Sequence, residues 1–422
     1  MSLATATAST VSARLSTASL KDNSAPERTA PHGNADTFAA DAPIEFTLIT
    51  TRDAFDALED EWNALFARAA TSAQVFQTFN WNWHWANHYL SGAPGGMGGI
   101  GLCVLAGYRD GKLVMVWPLV RERVRGIAQI FWMGEPVSQY GDVLIDDLPD
   151  ALPALKDAWN YLRKHARADV MRLRRVREDA RVAPLLHVIG ASASNPQRAP
   201  YLDLASAENF AAYEQRYSSK ARRNRRRFMR RLEEQGHVSF ARIHGGAEAR
   251  AMAERAIDMK TAWLASRGLF SQALADKRMR SFFADVADAA SHPTGCVVSS
   301  LTSNDDVAAL DVSFACKGRL AVHMIVFNLA YEKAGVGGLL MEHCISDAFD
   351  EDIATFDLLA PGDAYKLEWA DSTIGTNDWS QALSLKGSAY VEIYLNRLRG
   401  QIKSTLASVP KSLRKRLNSF LP

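Results

Sequence analysis

Hydrophobic periodicity divides the chain into a polar leader, two mixed segments and a basic tail. Residues 1–43 lack any apolar period and are rich in Ala, Ser and Thr, which predicts a disordered leader. Residues 44–200 follow the order β-α-α-β-β-β-β-α-β, and residues 201–395 repeat the pattern of strand, two helices, hairpin, helix and strand. The sequence therefore predicts two mixed α/β domains, 44–200 and 201–395, followed by a tail at 396–422.

The most regular run of elements lies between residues 310 and 369. Period-2 alternation predicts strands here, and a glycine-rich loop separates them from a helical pattern. The predicted elements are strands Leu310–Cys316 and Leu320–Asn328, loop 332–338, helix Leu339–Phe349 and strand Ala354–Leu359. Beyond Trp369, short apolar runs predict two more strands, Ala382–Leu385 and Val391–Leu395.

A glycine-rich loop that opens a helix after a strand is suited to binding an anion. Glycine lets the backbone approach closely, and the helix N-terminus presents free N–H groups. The loop lacks the Gly-Lys-Ser/Thr of a phosphate-binding P-loop, since Leu339 follows Gly338. It also lacks the G-x-G-x-x-G of a dinucleotide-binding fold, and a hairpin precedes it. A hairpin, x-x-G-x-G and a helix match the pyrophosphate turn of GNAT-type acyltransferases.

Charge is distributed unevenly although the net charge of the 422 residues is only +2. Residues 218–236 carry a net +6, and residues 397–422 carry +7 without an acidic residue. Local basic patches, rather than a generally basic chain, argue against a nucleic-acid binder of the ordinary kind. The amphipathic tail has three readings, which are an anionic membrane surface, a cap on the domain and a partner contact.

The four cysteines are scattered in apolar runs, with no C-x-x-C and no histidine at ligand spacing. This pattern predicts buried free thiols and no metal site. No stretch approaches the ~18 uncharged apolar residues of a membrane span, and no signal-peptide pattern opens the chain. We therefore expect a cytoplasmic protein, with peripheral contact to the inner face of the membrane through the tail.

Two further groups of residues have a structural and a functional interpretation. Trp81 and Trp85 lie one helical turn apart, so they predict either core packing or an aromatic wall for a sugar or other acceptor. In the arginine-rich segment, Arg222 and Arg225 belong either to a solvated helix face or to a site that binds the phosphates of a cofactor or an acidic acceptor. Nucleic acid is disfavoured there because no aromatic residues interleave for base stacking.

Several motifs together resemble one family. Tyr331–Gly338 followed by Leu-Leu-Met-Glu, then Phe-Asp-Leu-Leu at 356–359 and Gly-Asp-Ala-Tyr-Lys at 362–366, resemble the CelD-like (cellulose-biosynthesis type) acetyltransferases. Phe76-Gln77 with the two tryptophans, and Arg230-Arg231-Leu232-Glu233, are similar to other motifs of that family. These proteins are GNAT-related and distantly similar to the Fem-type peptidyltransferases. The resemblance covers about residues 44–395.

The resemblance implies tandem GNAT-like domains with mostly antiparallel sheets flanked by helices. The second domain is then expected to bind acetyl-CoA or another acyl-CoA, with no metal, and the acceptor is expected between the domains. The residues implied for the pyrophosphate are Gly335, Val336, Gly337, Gly338 and Leu339.

The candidate catalytic residues are His323, Asp311, Tyr365 and Lys366, with Asp363 at the acceptor. His323 lies mid-strand before the loop and is either a general base or an ordinary strand histidine. Asp311 lies on the neighbouring strand beside small residues. Similarity to Fem-type enzymes implies charge stabilisation by Lys366 and hydrogen bonding by Tyr365, whereas both residues otherwise close a strand end.

Three functions remain open from the sequence. The first is acyl transfer from acyl-CoA to an amine or hydroxyl, linked by resemblance to polysaccharide or cell-envelope synthesis, with a small-molecule or saccharide acceptor. The second is aminoacyl transfer from charged tRNA, in which the arginine-rich helix contacts phosphate. The third is a non-catalytic scaffold of exopolysaccharide machinery. The acceptor and the oligomeric state do not follow from the sequence.

Overall fold

Two β-sheets and the helices packed on them form the described part of the chain. The computed structural model describes residues 42–90, 99–289 and 294–392. The strands are β1 Glu45–Ile49, β2 Ile100–Leu102, β3 Val104–Arg109, β4 Lys112–Trp117, β5 Leu119–Val124, β6 Ile127–Trp132, β7 Leu144–Ile145, β8 Val170–Arg177, β9 Ser192–Asp203, β10 Val238–Ile243, β11 Gly295–Ser303, β12 Asp306–Cys316, β13 Arg319–Phe327, β14 Thr355–Asp357 and β15 Ser372–Ala382.

Thirteen α-helices and four short 3₁₀ turns complete the described residues. The helices are α1 Arg52–Asp56, α2 Glu59–Ala69, α3 Phe79–Tyr89, α4 Ala151–His165, α5 Ala183–Val188, α6 Phe210–Tyr213, α7 Ser219–Glu233, α8 Gly246–Ser266, α9 Gln272–Ala275, α10 Lys277–Asp288, α11 Val336–Asp350, α12 Ala364–Trp369 and α13 Leu385–Ala389. The 3₁₀ turns are Val75–Gln77, Leu204–Ser206, Glu214–Arg216 and Leu329–Ala334.

The larger sheet has eleven strands in the order β10-β11-β12-β13-β14-β9-β15-β8-β6-β5-β2, and the smaller has the order β1-β3-β4-β7. Among the described strands, only β13 with β14 and β6 with β8 pair in parallel. The predicted mixed α/β class with mostly antiparallel sheets is therefore confirmed.

The same arrangement occurs once in each half of the large sheet. In the first half, the hairpin β5–β6 is followed by α4 and by β8, which lies parallel to β6. In the second half, the hairpin β12–β13 is followed by α11 and by β14, which lies parallel to β13. A parallel pair needs a crossover connection, and a helix supplies it in both halves. The repeat predicted from the pattern of elements is thus present in the topology.

The two halves share one sheet through β9 and β15. β9 pairs with β14 on one side and with β15 on the other, and β15 also pairs with β8 of the first half. The sequence predicts a domain boundary at residue 200, but β9 continues across this residue without a break. The boundary therefore stays a prediction. The described residues between Pro43 and Glu392 cluster as a single compact unit.

Helices cover the two faces of the second half differently. α8 packs on β11, β12 and β13, with α10 beside it on β11, and their apolar residues join a core that includes Phe282, Phe283 and Phe314. α7 and α11 pack against each other, and α11 lies on β11–β13 with Leu340 and Ile345 buried in a second core. The strand β12 is buried along almost its whole length because helices cover both of its faces.

Some element bounds differ from those predicted. The helix predicted from Leu339 begins at Val336, because Gly335 takes a left-handed φ of 65° that ends the preceding 3₁₀ turn. The predicted strand Ala382–Leu385 is wrong, since β15 ends at Ala382 and Leu385 opens a helix capped by the Ser384 hydroxyl.

The polar sequence of β15 gave no strand signal and its existence was missed. The predicted strand Val391–Leu395 starts in helical backbone at residues 391–392, and the rest of it lies outside the described residues. The leader and most of the tail also lie outside them. In the part of the chain that the structure describes, no helix is long and apolar enough to cross a membrane.

Candidate active site

A fork between β13 and β14 opens the large sheet beside α11. The two strands pair only over Arg319–Ala321 with Thr355–Asp357. The chain then leaves β13, because the Leu358 amide donates to the Pro200 carbonyl over 2.9 Å and Leu359 adopts a φ of 59°. Strand edges that stop pairing leave backbone groups that a ligand can bind. The fork is therefore a candidate ligand-binding site.

Lys366 of α12 lies at the mouth of this fork. Its Nζ donates to the Leu359 carbonyl oxygen over 3.0 Å. Burial lowers the pKa of Lys366 to about 8, although the carboxylates of Asp363 and Asp357 oppose the shift, and Lys260 adds to it. A desolvated ammonium group interacts more strongly with developing negative charge than one in bulk water. Lys366 therefore places a desolvated ammonium group at the fork, where it can stabilise negative charge on a reacting molecule.

His323 lies on β13 beyond the paired residues, on the face that carries the aromatic core. Its Nε2 lies 2.8 Å from the Val137 carbonyl, an acceptor, so Nε2 carries the proton. Its Nδ1 is buried and has no hydrogen-bond partner in the described residues. Burial lowers the pKa of His323 to about 4, and the rings of Phe283 and Phe314 pack against the imidazole. These contacts favour the interpretation of His323 as a packed strand histidine.

Asp357 anchors the base of the fork through four hydrogen bonds. Oδ1 accepts from the Tyr140 hydroxyl at 2.9 Å and from the Leu359 amide at 2.9 Å. Oδ2 accepts from Arg177 at 3.2 Å and from Arg319 at 3.0 Å. The carboxylate is fully buried, so these donors satisfy a charge that is costly to leave unpaired. Because Lys366 donates to the same Leu359 residue, Asp357 helps to fix the carbonyl that holds the lysine.

Two polar residues of the first half lie near His323. Arg175 donates to the Gln139 side-chain oxygen over 2.6 Å. The Gln139 amide nitrogen lies 3.3 Å from His323 Nε2, a contact between two donors and therefore not a hydrogen bond. Sequence analysis missed Tyr140, Arg175 and Gln139 because none belongs to a recognisable motif. Their partners are remote in the chain, so no local signal marks them.

Asp311 does not join this group. It lies on β12 opposite Ser299 and faces the core under α11, whereas His323 faces the aromatic core on the other side of the sheet. Its Oδ2 accepts from the Ser313 hydroxyl at 2.6 Å, and its Oδ1 is buried without a hydrogen-bond partner in the described residues. Burial raises its pKa to about 7. The structure therefore does not bring the two proposed catalytic residues Asp311 and His323 together.

The glycine turn at the start of α11 leaves two backbone amides available. The N–H groups of Gly338 and Leu339 both donate to the Gly335 carbonyl. The N–H groups of Val336 and Gly337 make no hydrogen bond within the described residues. A side chain added at Gly338 would meet nothing within 4 Å, so there is space over the turn. Of the five residues predicted to hold a pyrophosphate, Val336 and Gly337 keep free donors and Gly335 supplies the turn.

The two tryptophans predicted from helical spacing lie in the core. Trp81 is 2% exposed and donates to the Ser138 hydroxyl, while Trp85 is fully buried and donates to the Glu135 carbonyl. Trp85 also stacks on Tyr89. Neither ring keeps a surface for an acceptor, so the structure favours core packing over a binding wall.

The remaining predicted substrate residues lie around α7 and α12. Arg225 pairs with Glu342 of α11 at 2.7 Å and stacks over the rings of Tyr217 and Trp369, so it ties α7 to its neighbours. Arg222 donates to Gln215 of the same region. Asp363, at the N-cap of α12, and Tyr365 are both exposed at the mouth of the fork. Only these last two remain free to meet an acceptor.

Metal-binding chemistry has no obvious place in the described residues. No group of three or more His, Cys, Asp or Glu side chains comes together there in a way that could hold an ion. All four cysteines are buried as free thiols, which agrees with the expectation from their apolar surroundings.

The hairpin, the glycine turn, the crossover helix and the forked parallel strand lie in a segment that is similar to a known domain family. Residues 219–367 match the family model described as "Acetyltransferase (GNAT) domain". The chain thus contains a GNAT domain. This segment includes the glycine turn, the fork, Asp357 and Lys366, but Tyr140 and Arg177 lie outside it. The narrower CelD-like resemblance stays a prediction. Among curated proteins, none matches the chain.

The solved structure of FemX shares the fold across almost its whole length. "Crystal structure of FemX" superposes with a TM-score of 0.56 at 11% identity, covering 83% of this chain and 99% of that one. The C-terminal domain of a putative lysylphosphatidylglycerol synthetase from Agrobacterium fabrum gives 0.49 at 11% identity, covering 82% and 97%. A tandem GNAT protein from the clavulanic acid biosynthesis pathway gives 0.44 at 10% identity, covering 81% and 99%. At such low identity, the similarity to FemX establishes the GNAT-type fold alone.

Proposed function

We propose that the chain transfers an acyl group from acyl-CoA to an amine or hydroxyl of an acceptor. The observation that carries this proposal is the position of Lys366 at the fork, within the segment that matches the GNAT domain and that also contains the glycine turn of α11. In the reaction, the bond between the acyl carbon and the thioester sulfur breaks, and the acyl carbon bonds to the nitrogen or oxygen of the acceptor. The proton that the acceptor loses is balanced by protonation of the CoA thiolate, which leaves as a free thiol. The chain must therefore hold the donor, orient the acceptor and stabilise the carbonyl oxygen as it gains charge.

The donor is proposed to lie across the start of α11. The free amides of Val336 and Gly337 suit the oxygens of a pyrophosphate, and the positive end of the helix dipole adds to the attraction. The space over Gly338 lets phosphate approach the backbone. Acetyl-CoA is the donor to test first, because the sequence gives no indication of a longer acyl chain.

Lys366 is proposed to stabilise the negative charge that develops on the thioester oxygen. At neutral pH, a lysine with a pKa of about 8 is mostly protonated, and its bond to the Leu359 carbonyl fixes its position. Tyr365 is exposed next to it and is proposed to hydrogen-bond the acceptor. His323 is a poorer candidate for the base, since its proton-free nitrogen is buried and its pKa is about 4.

The acceptor is proposed to approach from the first half of the sheet. A small cleft lies there, with a volume of about 10 Å³ and a lining that includes Trp132, Glu135, Tyr140 and Arg175. It has room for a single water, so a sugar acceptor would need the cleft to widen before the aromatic and charged groups of its lining could bind several hydroxyls. A sugar acceptor would agree with the link to polysaccharide or envelope synthesis that the family resemblance implies.

Calorimetric titration of the full chain with acetyl-CoA tests the donor site. Gly337→Glu is expected to weaken binding at least tenfold, because a carboxylate would face the phosphates. Gly337→Gln is the matched control, since it has similar size without charge, and a Cβ at this position makes only ordinary contact with Phe327 at 3.4 Å. Equal binding by the Glu and Gln variants, or no binding to the unchanged protein at millimolar acetyl-CoA, would refute the proposed donor site. Transfer from charged tRNA without CoA would support the aminoacyl alternative.

A further inference from the structure

An exposed surface of mixed basic and apolar side chains surrounds the start of α11. We call this surface the rim. It consists of four arginines of α7, one lysine of the 3₁₀ turn Leu329–Ala334 and three apolar residues. The rim residues are Arg226, Arg227, Arg230, Arg231, Lys333, Leu269, Phe270 and Leu329, all of them exposed. None of these side chains contributes to the fork or to the donor site described above.

Three contacts show that these segments are neighbours. The Phe228 ring of α7 lies 3.0 Å from the position of a Cβ on Gly335, so the later turns of α7 lie beside the start of α11. The 3₁₀ turn Leu329–Ala334 packs against α7. On its other side, Arg267 at the end of α8 pairs with Glu332 over 2.7 Å, which brings Leu269 and Phe270 to the same end of the molecule.

The arginines of the rim differ from others on nearby helices because they have no acidic partner. Within the described residues, Arg226, Arg227, Arg230 and Arg231 form no ion pair, whereas arginines on α8 and α10 such as Arg250 and Arg280 each pair with an aspartate. Arg226 lies four residues before Arg230 and Arg227 four residues before Arg231, so the four side chains cover one broad face of the helix. Like charges at this spacing repel one another, so an anion placed on this face would relieve the repulsion.

The apolar members of the rim are unusually exposed. Phe270 is 61% exposed, Leu269 is 39% exposed and Leu329 is 38% exposed. They account for three of the seven large hydrophobic side chains that are exposed in the described residues. A single exposed apolar residue needs no explanation. Several of them beside an unpaired basic face form a surface that can attract an anion and bury apolar side chains at the same time.

We propose that the rim docks on the surface of an anionic lipid bilayer. Unpaired arginines would attract the headgroups, while Phe270 and the leucines would insert at the level of the headgroups and upper acyl chains. RNA fits less well, because Phe228, the aromatic residue among these arginines, packs against Gly335 instead of being free for base stacking, and RNA gains little from exposed leucines. Docking would turn the start of α11 toward the bilayer.

Vesicle partition of the full chain tests this proposal. Co-sedimentation is measured with phosphatidylcholine vesicles and with vesicles that also contain phosphatidylglycerol. Only the anionic vesicles are expected to bind the chain strongly, and added salt is expected to weaken binding. Arg227→Gln combined with Arg231→Gln should lower the partition coefficient roughly thirtyfold, since each basic residue near an anionic surface contributes favourably. Phe270→Ser should lower it about tenfold.

A matched control separates this surface from general electrostatics and from the basic tail. Arg163→Gln combined with Lys164→Gln removes two exposed charges from α4, which packs on the small sheet, and is expected to leave partition unchanged. The tail is present in every variant, so its contribution cancels in the comparison. A Phe270→Trp variant should shift its fluorescence to shorter wavelength only with anionic vesicles.

Two results would overturn the proposal. One is equal partition of the unchanged chain, the rim variants and the α4 control. The other is tight tRNA binding that depends on Arg227 and Arg231 without any vesicle binding, which would assign the arginine face to nucleic acid. Neither result depends on whether acetyl-CoA is the donor, so failure here is distinguishable from failure of the proposed reaction.

Discussion

The charge of Lys366 should set the upper pH limit of acyl transfer. With a pKa of about 8, the ammonium form makes up about 0.9 of the protein at pH 7 and about 0.1 at pH 9. If this charge stabilises the thioester oxygen, kcat/KM falls about tenfold between these pH values. Lys366→Met should lower kcat/KM by about 10²–10³, as loss of one charge-stabilising donor does in other enzymes. Lys366→Arg stays charged throughout the assay range, so its profile should lose the fall near pH 8.

The assay follows thiol release from acetyl-CoA with a saturating acceptor between pH 6 and pH 9.5. Thermal unfolding supplies the control for folding. Because burial lowers the pKa of Lys366 below its value in the unfolded chain, the unfolded state binds more protons between about pH 8 and pH 10, and the charged side chain destabilises the fold below pH 8. Lys366→Met should therefore raise Tm at pH 7 while it removes activity. A rate that rises through pH 8, or a fall near pH 8 that persists in Lys366→Arg, would refute charge stabilisation by this residue.

Three further predictions concern the surroundings of the fork. Burial raises the pKa of Asp311 to about 7, so the folded state binds more protons between about pH 4 and pH 7 and stability falls as pH rises through that window. Asp311→Asn should remove this fall in stability and make the protein more stable to urea at pH 8. Its kcat/KM should stay within about twofold of that of the unchanged chain. A large loss of kcat/KM would restore Asp311 as a catalytic residue. Gly335→Ala should cost about 1–2 kcal/mol in urea unfolding, because φ is 65° and the new Cβ would press on Phe228 at 3.0 Å; an unchanged midpoint would contradict this. Tyr140→Phe should destabilise the protein by roughly 1–3 kcal/mol, since the buried Asp357 loses one donor, and an unaltered unfolding curve would count against the network.

Local patterns in the sequence predicted the strands, the glycine turn and the helix that carry the proposed donor site. Alternation predicted β12 and β13, and the run of glycines predicted a turn that opens a helix, because periodicity and glycine conformations act over a few residues. The motif after β14 singled out Lys366 as a catalytic residue; the structure places it at the fork, and its catalytic role stays a prediction. Even here, the predicted start of α11 was wrong. The contact with α7 decides which glycine adopts the left-handed conformation that precedes the helix.

Only the tertiary structure decided which side chains meet at the fork. Tyr140 and Arg177 reach Asp357 from 217 and 180 residues away, a distance at which no spacing rule operates. The pairing register, with an irregularity between Val312 and Ser313, determines the faces to which His323 and Asp311 point. A shift of one residue along a strand sends a side chain to the opposite face of the sheet, so their separation could not follow from sequence alone.

The same reason explains the tryptophans of α3 and the strand β15. Helical spacing showed that Trp81 and Trp85 share a face, but the helix α10 that covers this face comes from almost 200 residues later. β15 has a polar sequence and becomes a strand because β8 and β9 offer it hydrogen-bonding edges on both sides. Sequence determined the local elements of this protein, whereas long-range burial and strand pairing decided which of their residues form the site.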